Sequence, residues 1–280
     1  MPGCVVCGHE LSRRPVSLHV GPPVVGGVIR SCPECGTAQL SPMPTADSLA
    51  ALYSKDYYES YAEGSSMAGG SDHVPPYLQK RLSDLTRRLG AGRILDFGCA
   101  EGLFVAYARD QGWSAVGVEM SHWAAEHGRQ RYGVEIFETS LDGAPIEAGS
   151  LDVIHANHVL EHLTDPVGTM RAAHRLLRRD GLLVAEVPQE LFVPLADSIQ
   201  RRLQPGEQLL PNYHTVYFSR GGLRSAAERA GFQVEAVSNL RHVEVLRQRS
   251  AAFAMVRGLV YRAERVLRRG PVYVLVAKGR

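Results

Sequence analysis

The sequence predicts an α/β protein in two parts, a small N-terminal module and a mostly parallel sheet with helices on both faces. Three observations predict this. Apolar segments of strand length alternate with segments of helical periodicity from about residue 77 to the end. Two Cys-x-x-Cys-Gly motifs lie near the N-terminus. The composition, with 45% hydrophobic and 21% charged residues, is that of a globular protein.

Composition and charge disfavour several classes of protein. The 280 residues include 31 basic and 29 acidic side chains, and the net charge of +2 is too small to indicate a nucleic-acid-binding protein. No apolar run approaches the ~18–20 residues that a membrane span needs. The first residues do not resemble a signal peptide. We therefore expect a cytoplasmic protein, in a reducing environment that disfavours disulfides.

Four of the five cysteines form the two pairs Cys4/Cys7 and Cys32/Cys35, each followed by glycine. Glycine eases the turn that directs two thiolates at one ion. Two such turns, 24 residues apart, supply a tetrahedral sulfur shell for zinc. The closed shell leaves no position for substrate, so the metal is expected to be structural. A redox dithiol is the alternative, but it usually occurs as a single pair.

The spacing of turn residues predicts where the module ends. Glycine and proline between the cysteine pairs separate short apolar pieces, which is typical of a hairpin. We predict a zinc-ribbon-like module over residues 1–44 and a linker with a helical lead-in over residues 45–76. The lead-in helix begins near Thr45, and a loop rich in glycine and serine follows at residues 64–71.

The larger domain begins with leucines at helical spacing over residues 78–89. A buried strand at 94–97 runs into a glycine turn, and a helix begins near Leu103. The turn and the helix N-terminus offer backbone N–H groups to a nucleotide-like ligand. A second strand ends at Glu119, 21 residues after Gly98, where a carboxylate can accept hydrogen bonds from ribose hydroxyls.

The alternation continues to the C-terminal part of the chain. Helices are predicted at 121–132 and 165–177, with Gly181 ending the second, and strands at 134–137, 152–156 and 182–187. Strands alternating with helices imply a parallel sheet. Ligands of such sheets bind beyond the carboxyl ends of the strands.

Together these motifs resemble those of class I S-adenosylmethionine-dependent methyltransferases. The resemblance is carried by ILDFGCAEG (94–102), VGVEMS (116–121), LDVIHANHVLEHLTDP (151–166), LLRRDGLLVAEVP (176–188), FSRGGLRSAAERAGF (218–232) and a last strand, GPVYVLVAKGR (270–280). It implies a seven-stranded Rossmann-like sheet over residues 77–280. The cysteine pairs and LYSKDYY (52–58) resemble the zinc-binding leader of bacterial sugar, polysaccharide and natural-product methyltransferases.

The resemblance also implies a place for S-adenosylmethionine. The residues that would shape the pocket for its methionine part are Asp96, Gly98 and Gly102, with His158 near that part or the sulfonium. The residues that would hold the adenosine are Glu119 at the ribose, Met120 on the adenine, and Ser140 and Leu141 at the adenine edge. Ala100 departs from the family, which has glycine there.

Two histidines are candidates for the proton acceptor. Methyl transfer requires an aligned nucleophile, exclusion of water and often removal of a proton from the acceptor. Histidine suits the last task because its pKa lies near working pH. His162 follows the fourth strand and His214 follows the fifth, both on the acceptor side. We predict that one of them is the base; the alternative for each is a structural role in its loop.

A basic segment precedes the last strand. Residues 241–269 contain eight arginines and two acids, a net charge of +6, with apolar residues at helical spacing. We predict an amphipathic helix, inserted over 240–269, whose apolar stripe packs on the domain or on a second copy in a homo-oligomer. Its arginines are either solvated or attract an anionic partner such as a phosphorylated acceptor, a carrier protein, a membrane surface or RNA.

The favoured function is methylation of a small molecule at oxygen or carbon, for example a sugar or natural-product intermediate, free, phosphorylated or carrier-bound. The alternative is an RNA methyltransferase whose module binds nucleic acid, but no basic and aromatic residues interleave as in a strand-binding groove. A nicotinamide dehydrogenase is disfavoured because the glycine turn lacks Gly-x-Gly-x-x-Gly spacing. A non-catalytic cofactor-binding scaffold would be distinguished by turnover.

Overall fold

The structure is a computed structural model that describes residues 2–18, 23–45, 48–49, 73–191, 212–240 and 272–279. The predicted glycine- and serine-rich loop and the basic segment 241–269 lie outside the described residues, as does most of the lead-in helix. Of that helix the described part is a turn in which the Leu49 N–H donates to the Thr45 carbonyl at 3.2 Å. The linker boundaries therefore stay a prediction.

Ten strands are described. They are β1 (Val28–Ser31), β2 (Ala38–Ser41), β3 (Arg93–Phe97), β4 (Ser114–Glu119), β5 (Ile136–Glu138), β6 (Leu151–Asn157), β7 (Leu177–Pro188), β8 (Val216–Tyr217), β9 (Gln233–Leu240) and β10 (Val272–Lys278). The described helices are α1 (Pro76–Leu89), α2 (Leu103–Asp110), α3 (His122–Tyr132), α4 (Pro166–Leu176) and α5 (Arg220–Arg229), with short 3-10 turns at Leu141–Gly143 and Leu160–His162.

The large sheet has seven strands in the order β5-β4-β3-β6-β7-β10-β9. The first five are parallel, and β10 lies antiparallel between β7 and β9. This confirms the predicted Rossmann-like class, including the antiparallel last strand. The central strands are buried on both faces, as helices on both sides of a parallel sheet require; in β3, Ile94 through Phe97 are all buried.

The cysteine module carries a second sheet, with the order β1-β2-β8. Strands β1 and β2 pair antiparallel around the second cysteine turn. The hairpin therefore differs from the prediction, because its second strand follows the second cysteine pair instead of lying between the two pairs. The third strand, β8, comes from the larger domain and pairs antiparallel with β2 through Ala38↔Tyr217 and Gln39↔Val216. The two predicted parts of the chain are therefore joined by backbone hydrogen bonds.

The structure corrects one predicted boundary. Gly181 does not end a helix: α4 ends at Leu176, and β7 begins at the next residue. Leu177 pairs with Leu151 before the register shifts to Val153↔Leu182. Gly181 lies in this irregular part of the strand, where an added Cβ would be 3.0 Å from the Leu151 carbonyl oxygen. Close backbone approach, and not helix capping, explains the glycine.

Among the described residues, no helix combines the length and the apolar content needed to cross a membrane.

Candidate functional site

The turn after β3 has the geometry of a ligand-binding turn. Gly98, Ala100 and Gly102 have φ values of 69°, 49° and 76°, a region that favours glycine. The N–H groups of Gly98 and Cys99 donate to the Val118 carbonyl at 2.8 and 3.2 Å, which closes the turn against β4. A Cβ on Gly98 would lie 2.5 Å from a Val159 methyl, so space here is already filled.

Glu119, the predicted ribose ligand, ends β4 beside this turn and is buried. One carboxylate oxygen accepts from the Ala100 N–H at 3.0 Å, and the other accepts from the Met120 and Ser121 N–H groups at 2.9 Å each. Glu119 therefore also orients the turn. Met120 is 56% exposed, an apolar surface where the resemblance implies adenine.

The structure gives different surroundings to the two residues predicted at the adenine edge. Ser140 and Leu141 lie where β5 leads into a 3-10 turn. The Leu141 side chain is buried in the core, so a contact from this residue to a ligand would come from its backbone. Ser140 flanks it and accepts the Gly143 N–H through its carbonyl at 3.1 Å.

A buried polar chain begins at Asp96, the predicted residue at the end of β3. Its carboxylate is 2.7 Å from His155 Nδ1, and His155 Nε2 is 3.0 Å from an Arg81 guanidinium nitrogen. Arg81 also donates to the Glu186 carboxylate, on β7. Sequence reasoning missed these three residues. His155 and Glu186 are polar residues inside apolar strands, and that pattern is the signal that could have found them. Arg81 lies on the buried face of α1 beside Leu78 and Leu82, so its place in the helical period is the signal there.

His158 continues the chain toward the acceptor side. It has a φ of 56°, and its ring nitrogens lie 3.2 Å from a Glu161 oxygen and 3.4 Å from a Glu186 oxygen. Burial by itself lowers the pKa of His158, but the hydrogen bonds to the two carboxylates outweigh it and raise the pKa to about 10. His158 is therefore an imidazolium at neutral pH. It lies beyond the carboxyl end of β6, where the resemblance implies the methionine part.

The two predicted base candidates lie together. The rings of His162 and His214 are 4.7 Å apart, edge to face, and ligand-capable atoms of Glu161, His162 and His214 lie within 4.8 Å of one another. His162 Nδ1 is 3.3 Å from the Tyr213 carbonyl, and His214 Nδ1 is 2.7 Å from a Glu190 carboxylate oxygen. The sequence placed Glu161 beside His162 at this rim without assigning it a role, and sequence reasoning missed Glu190.

The two histidines differ in charge. Burial lowers the pKa of His162 to about 4, although the Glu161 charge opposes it, so its ring is neutral. Burial also acts to lower the pKa of His214, but the hydrogen bond to Glu190 outweighs it and the pKa is raised. A carboxylate that holds the Nδ1 side of an imidazole and stabilises its protonated form is the arrangement of a general base.

The matched family decides the identification. A family model described as a methyltransferase domain matches residues 75–237, more than half of the chain. The chain belongs to this methyltransferase-domain family. The matched range holds the glycine turn, the buried polar chain and both histidines.

Relatives of this methyltransferase-domain protein are similarly described. A probable S-adenosylmethionine-dependent methyltransferase of Mycobacterium tuberculosis strain H37Rv is 31% identical over 173 residues, 60% of this chain and 58% of that protein. A ubiquinone biosynthesis O-methyltransferase of Xanthomonas axonopodis is 26% identical, over 57% of this chain and 71% of that protein. The chain thus spans under three-fifths of the mycobacterial relative.

A solved structure shares the fold. The S-adenosylmethionine-dependent methyltransferase from Mesorhizobium loti superposes with a TM-score of 0.52 at 21% identity, covering 72% of this chain and 96% of that one.

The cysteine cluster lies at the turn that joins β1 to β2. The sulfur of Cys4 is 3.6 Å from that of Cys35, the sulfur of Cys7 is 3.4 Å from that of Cys32, and all four lie within 4.8 Å of one another. The glycines after each pair, Gly8 and Gly36, have φ values of 83° and 71°, as the predicted turns require. The four thiols form a group that can hold one metal ion.

Cys99, the fifth cysteine, is a buried residue of the glycine turn, and burial raises the pKa of its thiol. A buried, protonated thiol is a poor nucleophile, so Cys99 serves as a packing residue of the turn.

Proposed function

We propose that this protein transfers a methyl group from S-adenosylmethionine to a small-molecule acceptor, at oxygen or carbon. The observation that carries the proposal is that the glycine turn after β3 and His162 after β6 lie at the same edge of one parallel sheet, with His214 packed against the His162 ring. The first is suited to a nucleoside and the second to proton removal. S-adenosylmethionine supplies an electrophilic methyl group on a positively charged sulfur.

In this proposal the cofactor lies across the carboxyl ends of two strands, β3 and β4. The methionine part lies against the turn of Asp96, Gly98 and Gly102, with His158 nearby. The adenosine lies beyond β4, where Glu119 accepts hydrogen bonds from the ribose and the exposed Met120 covers the adenine. Ser140 and the backbone of Leu141 lie at the edge of the adenine.

We assign the proton-accepting role to the histidine pair, with His214 ahead of His162. Glu190 orients His214 and stabilises its imidazolium, whereas the lowered pKa makes His162 a weaker base. The Xanthomonas relative is named an O-methyltransferase, which favours oxygen as the acceptor atom. Nothing in the comparisons favours RNA as the acceptor.

We also propose that the four cysteines hold a structural zinc ion. The thiolate donor set suits zinc, the sulfurs are already clustered, and the two glycine turns have the required backbone conformation. Cys4 and Cys32 are buried in the same core as the large sheet, so the ion would stabilise the contact between module and domain.

The test of the cofactor assignment is binding of S-adenosylhomocysteine by calorimetry. Glu119→Ala removes the ribose acceptor and leaves polar groups unpaired, which should weaken binding by about 5- to 150-fold. Glu138→Ala is the matched control, an acidic residue at the end of the neighbouring strand β5, and should change the affinity by less than about twofold. Unchanged affinity in Glu119→Ala would refute the ribose assignment, and tighter binding of a nicotinamide dinucleotide would refute the proposed donor.

The test of the base is methyl transfer to an acceptor found by screening. His214→Gln should lower the rate about 10²- to 10⁴-fold while the affinity for S-adenosylhomocysteine stays the same. If His162→Gln and His214→Gln both keep near wild-type rates, another group or water removes the proton.

A further inference from the structure

We propose that the cysteine module is a positioning element for the acceptor side of the site, holding His214 against Glu190 and Glu161. This inference rests on the proposed role of His214. It assigns a function to the module, which the sequence marks only as a folding unit. The backbone from residue 212 to residue 219 runs between the module and the loop after β6.

The module forms hydrogen bonds to this segment on both sides of His214. The Val24 N–H donates to the Asn212 carbonyl at 3.0 Å, and the Leu40 N–H donates to the Thr215 carbonyl at 2.9 Å. The β2–β8 pairing then continues through Val216 and Tyr217. Asn212 also accepts the His214 N–H through its side chain at 2.7 Å. The backbone of His214 is thus held through Asn212 on one side and Thr215 on the other.

The opposite side of the segment is fixed to the loop that carries Glu161 and His162. Thr215 is fully buried, and its N–H and hydroxyl both donate to the Glu161 carbonyl, at 2.8 and 3.0 Å. The hydroxyl also lies 2.7 Å from the Leu163 carbonyl. Thr215 therefore connects the module to the loop in a single residue, adjacent to His214.

The same strands are tied to the cysteine turns. The buried Gln39 side chain accepts the Val5 N–H, inside the first cysteine turn, at 2.8 Å. The Cys32 N–H donates to the Thr37 carbonyl at 2.7 Å, and the Ser219 hydroxyl donates to the Cys35 carbonyl. Each cysteine turn therefore contacts β2 or the end of the 212–219 segment directly. Disordering the turns removes support from the segment.

The titration of the His214 ring would show this loss of support. The groups that face it are Glu190, Glu161, His162 and His158, with the Tyr217 ring 6.3 Å away. Its partner Glu190 precedes the segment in sequence, and the adjoining Leu191 packs against the apolar cluster of Ile29 and Leu40, so both members of the pair depend on contacts with the module. If the module loosens, His214 should move relative to Glu190, and the pKa of His214 should fall toward its ordinary value.

The experiment uses Gln39→Leu, which cuts the tie between the first cysteine turn and β2 while leaving all four cysteines. Ser31→Ala is the matched control: it also removes a polar side-chain group from the module, but that hydroxyl bonds Ser12 within the module. The measurements are NMR titration of the His214 ring, assigned with His214→Gln, and the affinity for S-adenosylhomocysteine. Cys35→Ser provides the stronger perturbation.

We expect Gln39→Leu to lower the His214 pKa toward its ordinary value, since the hydrogen bond to the Glu190 carboxylate is what raises it. Ser31→Ala should leave the titration unchanged, and S-adenosylhomocysteine affinity should stay within about twofold in all three variants. An unchanged His214 titration in Gln39→Leu overturns the proposal, even if Cys35→Ser fails to fold. A shifted titration with full turnover in His214→Gln would instead uphold positioning and reject the proposed base.

Discussion

Ala100 is a residue whose side chain does not suit its backbone conformation. Its φ of 49° favours glycine, which the resemblance also expects at this position, and alanine there costs about 1–2 kcal/mol. The Ala100 N–H donates to Glu119, and this bond helps to hold the strained turn in place. The turn therefore depends on the carboxylate at the end of β4 as well as on its glycines.

Gly98→Ala should damage the site more than strain alone explains. At Gly98 the backbone has a φ of 69°, and the new methyl group would also lie 2.5 Å from a Val159 methyl. Gly112→Ala is the matched control, with a φ of 88° and open space around the added Cβ. By denaturant unfolding we expect a loss of about 1–2 kcal/mol for the control and about 1–3 kcal/mol more for Gly98→Ala. Equal losses would show that the contact with Val159 relaxes freely.

His162 should make stability depend on acidic pH. Its folded-state pKa of about 4 lies below the ordinary value of 6.5, because burial disfavours the charged ring. The unfolded chain therefore takes up a proton first, so this stabilisation is complete above pH 6.5 and is lost as the pH falls toward 4. The total is about 3 kcal/mol. Chemical unfolding of wild type and His162→Gln between these pH values should give a steeper dependence for wild type; parallel curves would contradict it.

At the scale of elements, the cysteine turns are local structures, and the zinc ion proposed for them would depend on four side chains. Protein purified without chelator should contain about one zinc ion per chain by metal analysis, because one sulfur shell is present. Cys32→Ser should release the metal. Cys99→Ala, which removes the cysteine outside the cluster, should retain it. Absence of zinc from wild type, or its retention in Cys32→Ser, would refute the ligand set.

Strand β7 differs most from its sequence-based boundary. The apolar run 182–187 is visible in the sequence, but its first five residues, including two arginines and an aspartate, are not typical of a strand. Pairing with β6 at Leu151 extends the strand to Leu177. Hydrogen bonds to a neighbour distant in sequence therefore override local propensity here.

At the scale of the whole molecule, Arg81 connects the helix on one face to the centre of the sheet. It is 8% exposed and pairs with Glu186, which is fully buried, while contacting His155. Arg81→Ala should cost about 3 kcal/mol or more in unfolding free energy, because it leaves a buried carboxylate without its guanidinium. The cost would appear as a lower denaturant midpoint.

Arg88 provides the control, since it lies on the same helix and pairs with Glu235 at 2.6 Å on the surface. Arg88→Ala should cost less than about 1 kcal/mol because solvent screens an exposed pair. Similar losses for Arg81→Ala and Arg88→Ala would mean that Glu186 is adequately held without the Arg81 guanidinium.

The sequence by itself determined the class of the large sheet, the glycine turn, the cysteine cluster and the two candidate histidines. These depend on local signals: apolar periodicity, glycine where φ is positive, paired thiols, and polar residues at strand ends. Only the tertiary structure decided the partners. The Arg81–Glu186 contact joins residues 105 positions apart, and Glu190 meets His214 across 24. The placement of β8 against the cysteine module was also invisible in the sequence, because a two-residue strand carries no periodicity and forms only where another backbone offers hydrogen bonds.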